Sequence, residues 1–301
     1  MKKRDLLSLE DWKKSDISDV IIRAEKLKRN RKTVNVLNGK TLLMLFAKPS
    51  LRTYLSFDIA MYQLGGHAIF YDLSHSTLGK KESIKDFSKV IARYSDVIMA
   101  RLYEHKQIEE IAKYADVPVI NGLTNYYHPC QVLGDFLTIK EKLGGFQKKK
   151  IAFLGDANNN VVHSLILEGN RTGTEIIISS PDKKEYLPNP KVIAKGKYKY
   201  IKDPKKAVKD ADVIYTDTWM SYQVPKSQEK KRIKMLKPYQ VNGKIFNINK
   251  KAIFMHCLPA KRGHEVTDDV IDSKRSVVYQ QAENRMWSEK AVLLKCLGVK
   301  T

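Results

Sequence analysis

Apolar and polar positions fall into short blocks of two kinds along this chain. Thr41 to Phe46 is an apolar run of strand length, punctuated by Pro49-Ser50. After it, Leu51, Leu55, Ile59 and Tyr62 recur on one helical face until Gly65-Gly66 ends the pattern. His67 to Tyr71 reads as the next strand, and Glu82 to Tyr94 as the next helix. A strand at Asp96 to Ala100, a helix at Gln107 to Tyr114, a strand at Val117 to Ile120 and a helix from Gln131 to Leu143 follow. The series then restarts. Strands are predicted at Lys150 to Leu154, Glu175 to Ile178, Val213 to Tyr215, Ala252 to Met255 and Ser276 to Tyr279. A helix opens near Asn160, and Asn284 to Leu297 closes the chain as an amphipathic helix. Strands that alternate with helices predict an α/β protein with mostly parallel sheets. Gly144-Gly145 and the lysines of 148–150 mark the boundary between two sequential halves, 1–143 and 144–283.

In open parallel sheets, ligands bind outside the carboxyl ends of the strands. Ionisable and polar residues recur there. Ser50-Leu51-Arg52-Thr53 opens a helix, whose free N–H groups and positive dipole end suit a phosphate, with two hydroxyls and a guanidinium added. Arg101 directly follows an apolar strand, where an unpaired charge is expensive. His128 and Gln131 sit where the chain turns from strand to helix and could polarise a carbonyl. In the second half the corresponding residues are Asp156, Asn158 and Asn159, then Asp217, then His256-Cys257-Leu258-Pro259. Taken singly, each has an ordinary alternative: a capping serine, a structural ion pair, a turn histidine, a helix cap. Gly155 to Asn160, GDANNN, lacks the spacing of a dinucleotide-binding turn. Cys257 has no evident activating base and is read as packing or orienting rather than nucleophilic. His67, His75 and His105 lack metal-ligand spacing. A series of such residues in register predicts a cleft between the halves.

Composition narrows the class. The 301 residues are 43% hydrophobic and 29% charged, as expected of a globular protein. No apolar run approaches the roughly 20 residues of a membrane-spanning helix. The opening MKKRDLLSLEDW lacks the apolar core of a secretion signal. Cys130, Cys257 and Cys296 form neither a disulfide framework nor a metal knuckle. A soluble cytoplasmic protein is expected. With 55 basic and 33 acidic residues the net charge is +22. That excess fits nucleic acid, an anionic substrate, or simply lysine-rich exposed faces; charge alone sets no specific partner, so the last is preferred.

FAKPSLRTYLSF, LGKKESIKD, MARLY, NGLTNYYHPCQ, GDANNN, DTWMS, HCLP and QAENRMW occur in an order and spacing that resembles the transcarbamylases over nearly the whole chain. Within them the chain is most similar to the ornithine branch, because the aspartate branch carries proline where Cys257 stands. The resemblance implies two doubly wound α/β domains, carbamoyl phosphate bound by 1–143 and ornithine by 144–283, with the last helix, 284–301, packing back on the first. It implies a homotrimer, or a multiple of trimers, with sites between subunits, and neither metal nor cofactor. By the same resemblance Ser50, Leu51, Arg52, Thr53, Thr77, Arg101, His128, Gln131 and Arg285 contact carbamoyl phosphate. Asn159, Asp217, Ser221 and Tyr222 hold the amino acid, while Cys257 and the carbonyl of Leu258 orient the attacking amine. Arg101, His128, Asp217 and Cys257 are then the catalytic group.

Three departures stand out. Leu51 and Tyr54 replace a threonine and an arginine of the phosphate motif, Thr77 stands where the family usually has glutamine or histidine, and Ser221-Tyr222-Gln223-Val224-Pro225 replaces Ser-Met-Gly. The expected activity is carbamoyl transfer to the δ-amine of L-ornithine in arginine synthesis. The altered loop keeps putrescine or a modified ornithine as an alternative acceptor, and the charge keeps a non-catalytic nucleic-acid-binding protein as a remote one.

Overall fold

The computed structural model describes residues 4–10, 12–31, 34–73, 82–194, 196–221 and 224–299. The chain divides into two compact units, Met1–Leu137 with Glu283–Thr301, and Thr138–Ala282. Both are α/β, built on parallel sheets.

The first unit opens with α1 (Lys14–Asn30), which buries Ile17, Val20, Ile21 and Ala24, a spacing that forms one helical stripe. Then β1 (Thr41–Phe46), α2 (Leu51–Gln63), β2 (His67–Asp72), α3 (Ile84–Ile91), β3 (Val97–Arg101), α4 (His105–Tyr114) and β4 (Val119–Leu123) alternate, and α5 (Pro129–Leu143) begins in this unit and ends in the second. The sheet runs β2-β1-β3-β4, parallel throughout. The registers Met44↔Phe70, Met44↔Met99 and Met99↔Ile120 set one apolar layer across it. β3 and β4 are buried at every position, whereas β2, at the edge, is largely exposed. Leu45, Ile98, Ile108, Ile111 and Val119 form the core on one face.

The second unit contains β5 (Lys150–Leu154), α6 (Asn160–Thr172), β6 (Glu175–Ser179), β7 (Lys199–Tyr200), α7 (Pro204–Val208), β8 (Val213–Thr216), α8 (Glu229–Leu236), α9 (Gly243–Phe246), β9 (Ile253–His256) and α10 (Asp268–Ile271). Its parallel sheet has the order β7-β6-β5-β8-β9. Ala152, Leu154, Ile214, Phe254 and Val270 centre the core. The last helix, α11 (Val278–Cys296), returns the chain to the first unit. There Lys295 Nζ donates to Asp19 at 2.7 Å, Lys28 Nζ donates to Asn284 at 2.6 Å, and Ala291 to Leu294 are fully buried.

One predicted strand is corrected. Ser276 makes a single parallel bridge to Phe254, and α11 begins at Val278. The β-branched pair Val277-Val278 is buried at the start of a helix, and periodicity alone cannot separate a short apolar strand from such a start.

Strand order fixes where sites can form. In each sheet the connections change direction between two adjacent strands: β1 and β3 in the first unit, β5 and β8 in the second. Loops leave in opposite directions at such a switch point and open a crevice at the carboxyl ends.

Candidate active site

At the first unit's switch point stand the segment after β1 and the last residue of β3. Ser50 caps α2, its hydroxyl accepting from the Thr53 amide at 3.3 Å and contacting the Thr53 hydroxyl at 3.2 Å. The cap leaves the helix's first amides facing the loop, a ready anion site. Thr53 is fully buried, and Arg285 Nη2 donates to its hydroxyl at 3.0 Å and to Glu289 Oε1 at 3.2 Å. Arg52 is half-buried on the same turn and Leu51 exposed. Arg101 is only 5% exposed, and the β3–β4 register shifts between Ala100 and Arg101, an irregularity of the kind that re-aims a side chain at a strand end.

Burial, then Arg285, Arg101 and Lys48 in that order, hold the His128 imidazole well below its ordinary value, so the ring is neutral. A neutral imidazole still donates from one nitrogen. The positive charge of all three cations therefore acts on His128, at the start of α5, where the His128 carbonyl accepts from the Gln131 amide at 3.1 Å. Gln131 is brought to this end of the helix, but its side-chain amide donates to Asp135 at 2.8 Å.

Two buried groups in this unit escaped the sequence reading. Lys48 is 2% exposed, with Nζ 4.3 Å from the centre of the Tyr103 ring. Burial and Arg101 lower it from 10.5 to about 8, with Glu104 acting in the other direction. Glu289, fully buried, is pushed up by burial to about 7 despite Arg285 beside it. Both lay in plain view among the many lysines and the 14 glutamates of the chain; only tertiary burial distinguishes them.

The second unit's switch point carries amide, carboxylate and thiol. Asn159 caps α6, accepting from the Val162 amide at 2.9 Å, while its Nδ2 donates to the Asp156 carbonyl at 2.7 Å. Asp217 follows β8; its Oδ1 accepts from the Thr218 amide at 2.7 Å and from the Cys257 thiol at 3.0 Å. Leu258 has φ 56°, and its amide donates to His256 Nδ1 at 2.8 Å. Asp217 and Cys257, predicted from residues 40 apart, are thus brought into contact. Ser221 lies on the irregular segment after β8, and its carbonyl accepts from the Val224 amide at 3.0 Å. Thr77 and Tyr222 fall outside the described residues. Ligand atoms of Asp217, His256 and Cys257 lie within 4.8 Å of one another, a donor set a soft divalent cation could use.

Each unit is therefore an open parallel α/β sheet with polar side chains gathered at the carboxyl ends beside its switch point, cationic in the first and carrying carboxylate, thiol and amide in the second. This is the class of a two-unit α/β ligand-binding enzyme. The chain belongs to the aspartate/ornithine carbamoyltransferase family. Residues 4–141 match that family's carbamoyl-P binding domain and residues 147–296 its Asp/Orn binding domain. It is 47% identical to an ornithine carbamoyltransferase of Pyrococcus abyssi, over 100% of this chain and 98% of the relative. It is 46% identical to one described as anabolic from Pyrococcus furiosus, over 98% and 96%. The solved ornithine carbamoyltransferase of P. furiosus superimposes with TM-score 0.92 at 45% identity, covering 99% of this chain and 98% of that one. The ornithine transcarbamoylase of Giardia lamblia does so with TM-score 0.90 at 37% identity, covering 100% of each.

Proposed function

We propose that this chain transfers the carbamoyl group of carbamoyl phosphate to the δ-amine of L-ornithine, giving L-citrulline and phosphate in arginine biosynthesis. The observation that carries the reading is the buried cluster of Thr53, Arg101, His128 and Arg285 at the switch point of the unit that matches a carbamoyl-P binding domain. Carbamoyl phosphate is assigned to 1–143 with 284–301, and ornithine to 144–283.

In this reading Ser50, Arg52 and the amino end of α2 take the phosphate, as do Leu51 through its backbone amide, and Thr77. Arg101, neutral His128 and the Thr53 hydroxyl donate to the carbonyl oxygen as it becomes an oxyanion, usually the largest single catalytic effect. Gln131 and Arg285 complete the carbamoyl phosphate side; Gln131 keeps its bond to Asp135, which leaves its carbonyl oxygen to accept from the carbamoyl amine. Asn159, Asp217, Ser221 and Tyr222 hold the amino acid. The Asp217–Cys257 contact and the Leu258 carbonyl fix the attacking nitrogen, with Asp217 favouring proton loss from the amine. Orientation of two bound substrates supplies much of the remaining acceleration.

The homotrimer belongs to the same reading. It is supported by the open edge strand β2, where Ile69, Phe70 and Tyr71 are 42%, 47% and 46% exposed, because exposed edges invite pairing or cover. A cytoplasmic location is proposed too; among the described residues no helix is long and apolar enough to cross a membrane. Nucleic-acid binding and a different acceptor amine are not favoured, since full-length relatives are ornithine carbamoyltransferases. Purified chain given carbamoyl phosphate and, in parallel, L-ornithine, putrescine and L-aspartate tests this: product is expected with ornithine, and product with another amine alone overturns the acceptor assignment.

A further inference from the structure

We propose that Arg232 is a positioning residue for the amino-acid substrate, tying the loop that carries Asn159 to the loop that carries Asp217 and Ser221. The inference rests on the proposed function and adds a residue to it.

Arg232 sits on α8 and is 6% exposed, so its guanidinium is committed to protein partners. Nη2 bonds Asp156 Oδ2, and Nε donates to the Trp219 carbonyl at 3.0 Å. The guanidinium also stands 4.9 Å from the centre of the Tyr186 ring. Each partner belongs to one side of the candidate site. Asp156 is 4% exposed; its Oδ1 accepts from the Asn158 amide at 3.1 Å, and its carbonyl accepts from Asn159 Nδ2 at 2.7 Å. Tyr186 reinforces that loop, its carbonyl accepting from the Ala157 amide at 3.0 Å. Trp219 lies midway between Asp217 and Ser221 and is 1% exposed. Its indole nitrogen packs so closely on the other loop that a Cβ built at Gly155, where φ is +124°, would lie 3.2 Å away.

One planar cation thus holds two loops at fixed distance and angle. The fork of a guanidinium imposes direction as well as charge, which an ammonium does not reproduce. Asn159 on one loop and Asp217 with Ser221 on the other would hold one amino acid between them. The spacing that Arg232 sets is therefore the spacing the substrate reads. None of these contacts involves the residues assigned to carbamoyl phosphate, so the effect falls on one substrate only.

The test compares wild type with Arg232→Lys, and with the paired variant Asp156→Asn/Arg232→Gln, which removes both buried charges together and keeps a hydrogen bond where Arg232→Gln alone would strand a carboxylate. KM is measured for each substrate, with the inhibition constant of L-2-aminopentanoate, which is ornithine without its δ-amine. The expected result is a rise of about tenfold or more, in parallel, for KM of ornithine and for the inhibition constant, while KM for carbamoyl phosphate stays within about twofold. Unchanged constants, or an equal rise for both substrates, would overturn the assignment and leave Arg232 a structural residue. Citrulline formation by the wild type, measured first, separates the two levels. Its absence defeats the proposed function, whereas its presence with unshifted variants defeats only the role of Arg232.

Discussion

Replacing Lys48 with methionine sets stability against function in one substitution. The side chain is 2% exposed and its value lowered from 10.5 to about 8, so at pH 7 the folded chain holds a charged ammonium out of water. At about 1.4 kcal/mol per pH unit, that depression corresponds to roughly 3 kcal/mol of cost. The Tyr103 ring, 4.3 Å from Nζ, returns part of it, about 1–2 kcal/mol for a desolvated cation on an aromatic face. Methionine keeps the unbranched length without the charge. Lys48→Met is therefore expected to unfold in urea with about 1–2 kcal/mol more stability at pH 7. The pH dependence has a definite sign. The folded value is the lower one, so between pH 8 and 10.5 the unfolded chain holds the extra proton and wild type gains stability as pH rises. The variant lacks that gain, and its advantage shrinks across the window. Affinity for carbamoyl phosphate, read by calorimetry, is expected to fall about tenfold, because one of the cations that reach His128 is gone. A variant less stable than wild type at pH 7 with a parallel pH profile would refute the electrostatic reasoning, as would undiminished carbamoyl phosphate affinity.

Arg101→Ala is expected to lower kcat by about 10²–10³ while circular dichroism and the melting temperature stay near wild type, as for loss of an oxyanion donor; near-normal turnover would remove Arg101 from the chemistry. Acid should act through the histidines. Burial lowers His105 to about 4 from 6.5, and His128 lies lower than its ordinary value as well. Both stay neutral when folded, so stability falls as pH drops below 6.5, where the unfolded chain takes up protons the folded chain refuses. His105→Gln, which can keep a bond to Thr124, should lose less stability between pH 7 and 4.5 in urea titrations; an equal loss would clear His105 of the effect.

The strand–helix alternation was readable because parallel strands buried on both faces appear as continuous apolar runs, and β1, β3, β5 and β8 do so. What failed did so where polarity or length hid the element. Lys199–Tyr200 forms the edge strand β7 with too few apolar residues to show. Val277-Val278, apolar and β-branched, reads as a strand although the helix starts there. Ser50, Thr53, Arg101, His128 and Asp217 were visible as polar residues at strand ends, since sheet topology alone dictates where ligands sit. Their supports were not. Nothing local links Arg232 to Asp156, 76 residues away, or sets Lys48 apart from the lysines that decorate the surface. Pairing across such distances, and burial of a single charge, are properties of the assembled core.

The most direct measurement of the central claim follows the new bond. Carbamoyl phosphate labelled with ¹³C and L-ornithine labelled with ¹⁵N at the δ-amine are incubated with the purified chain and read by NMR. A ¹³C–¹⁵N one-bond coupling should grow in step with released phosphate, one for one, and vanish with unlabelled ornithine. Phosphate released with no carbon–nitrogen coupling, or coupling that appears only with a different labelled amine, would contradict it.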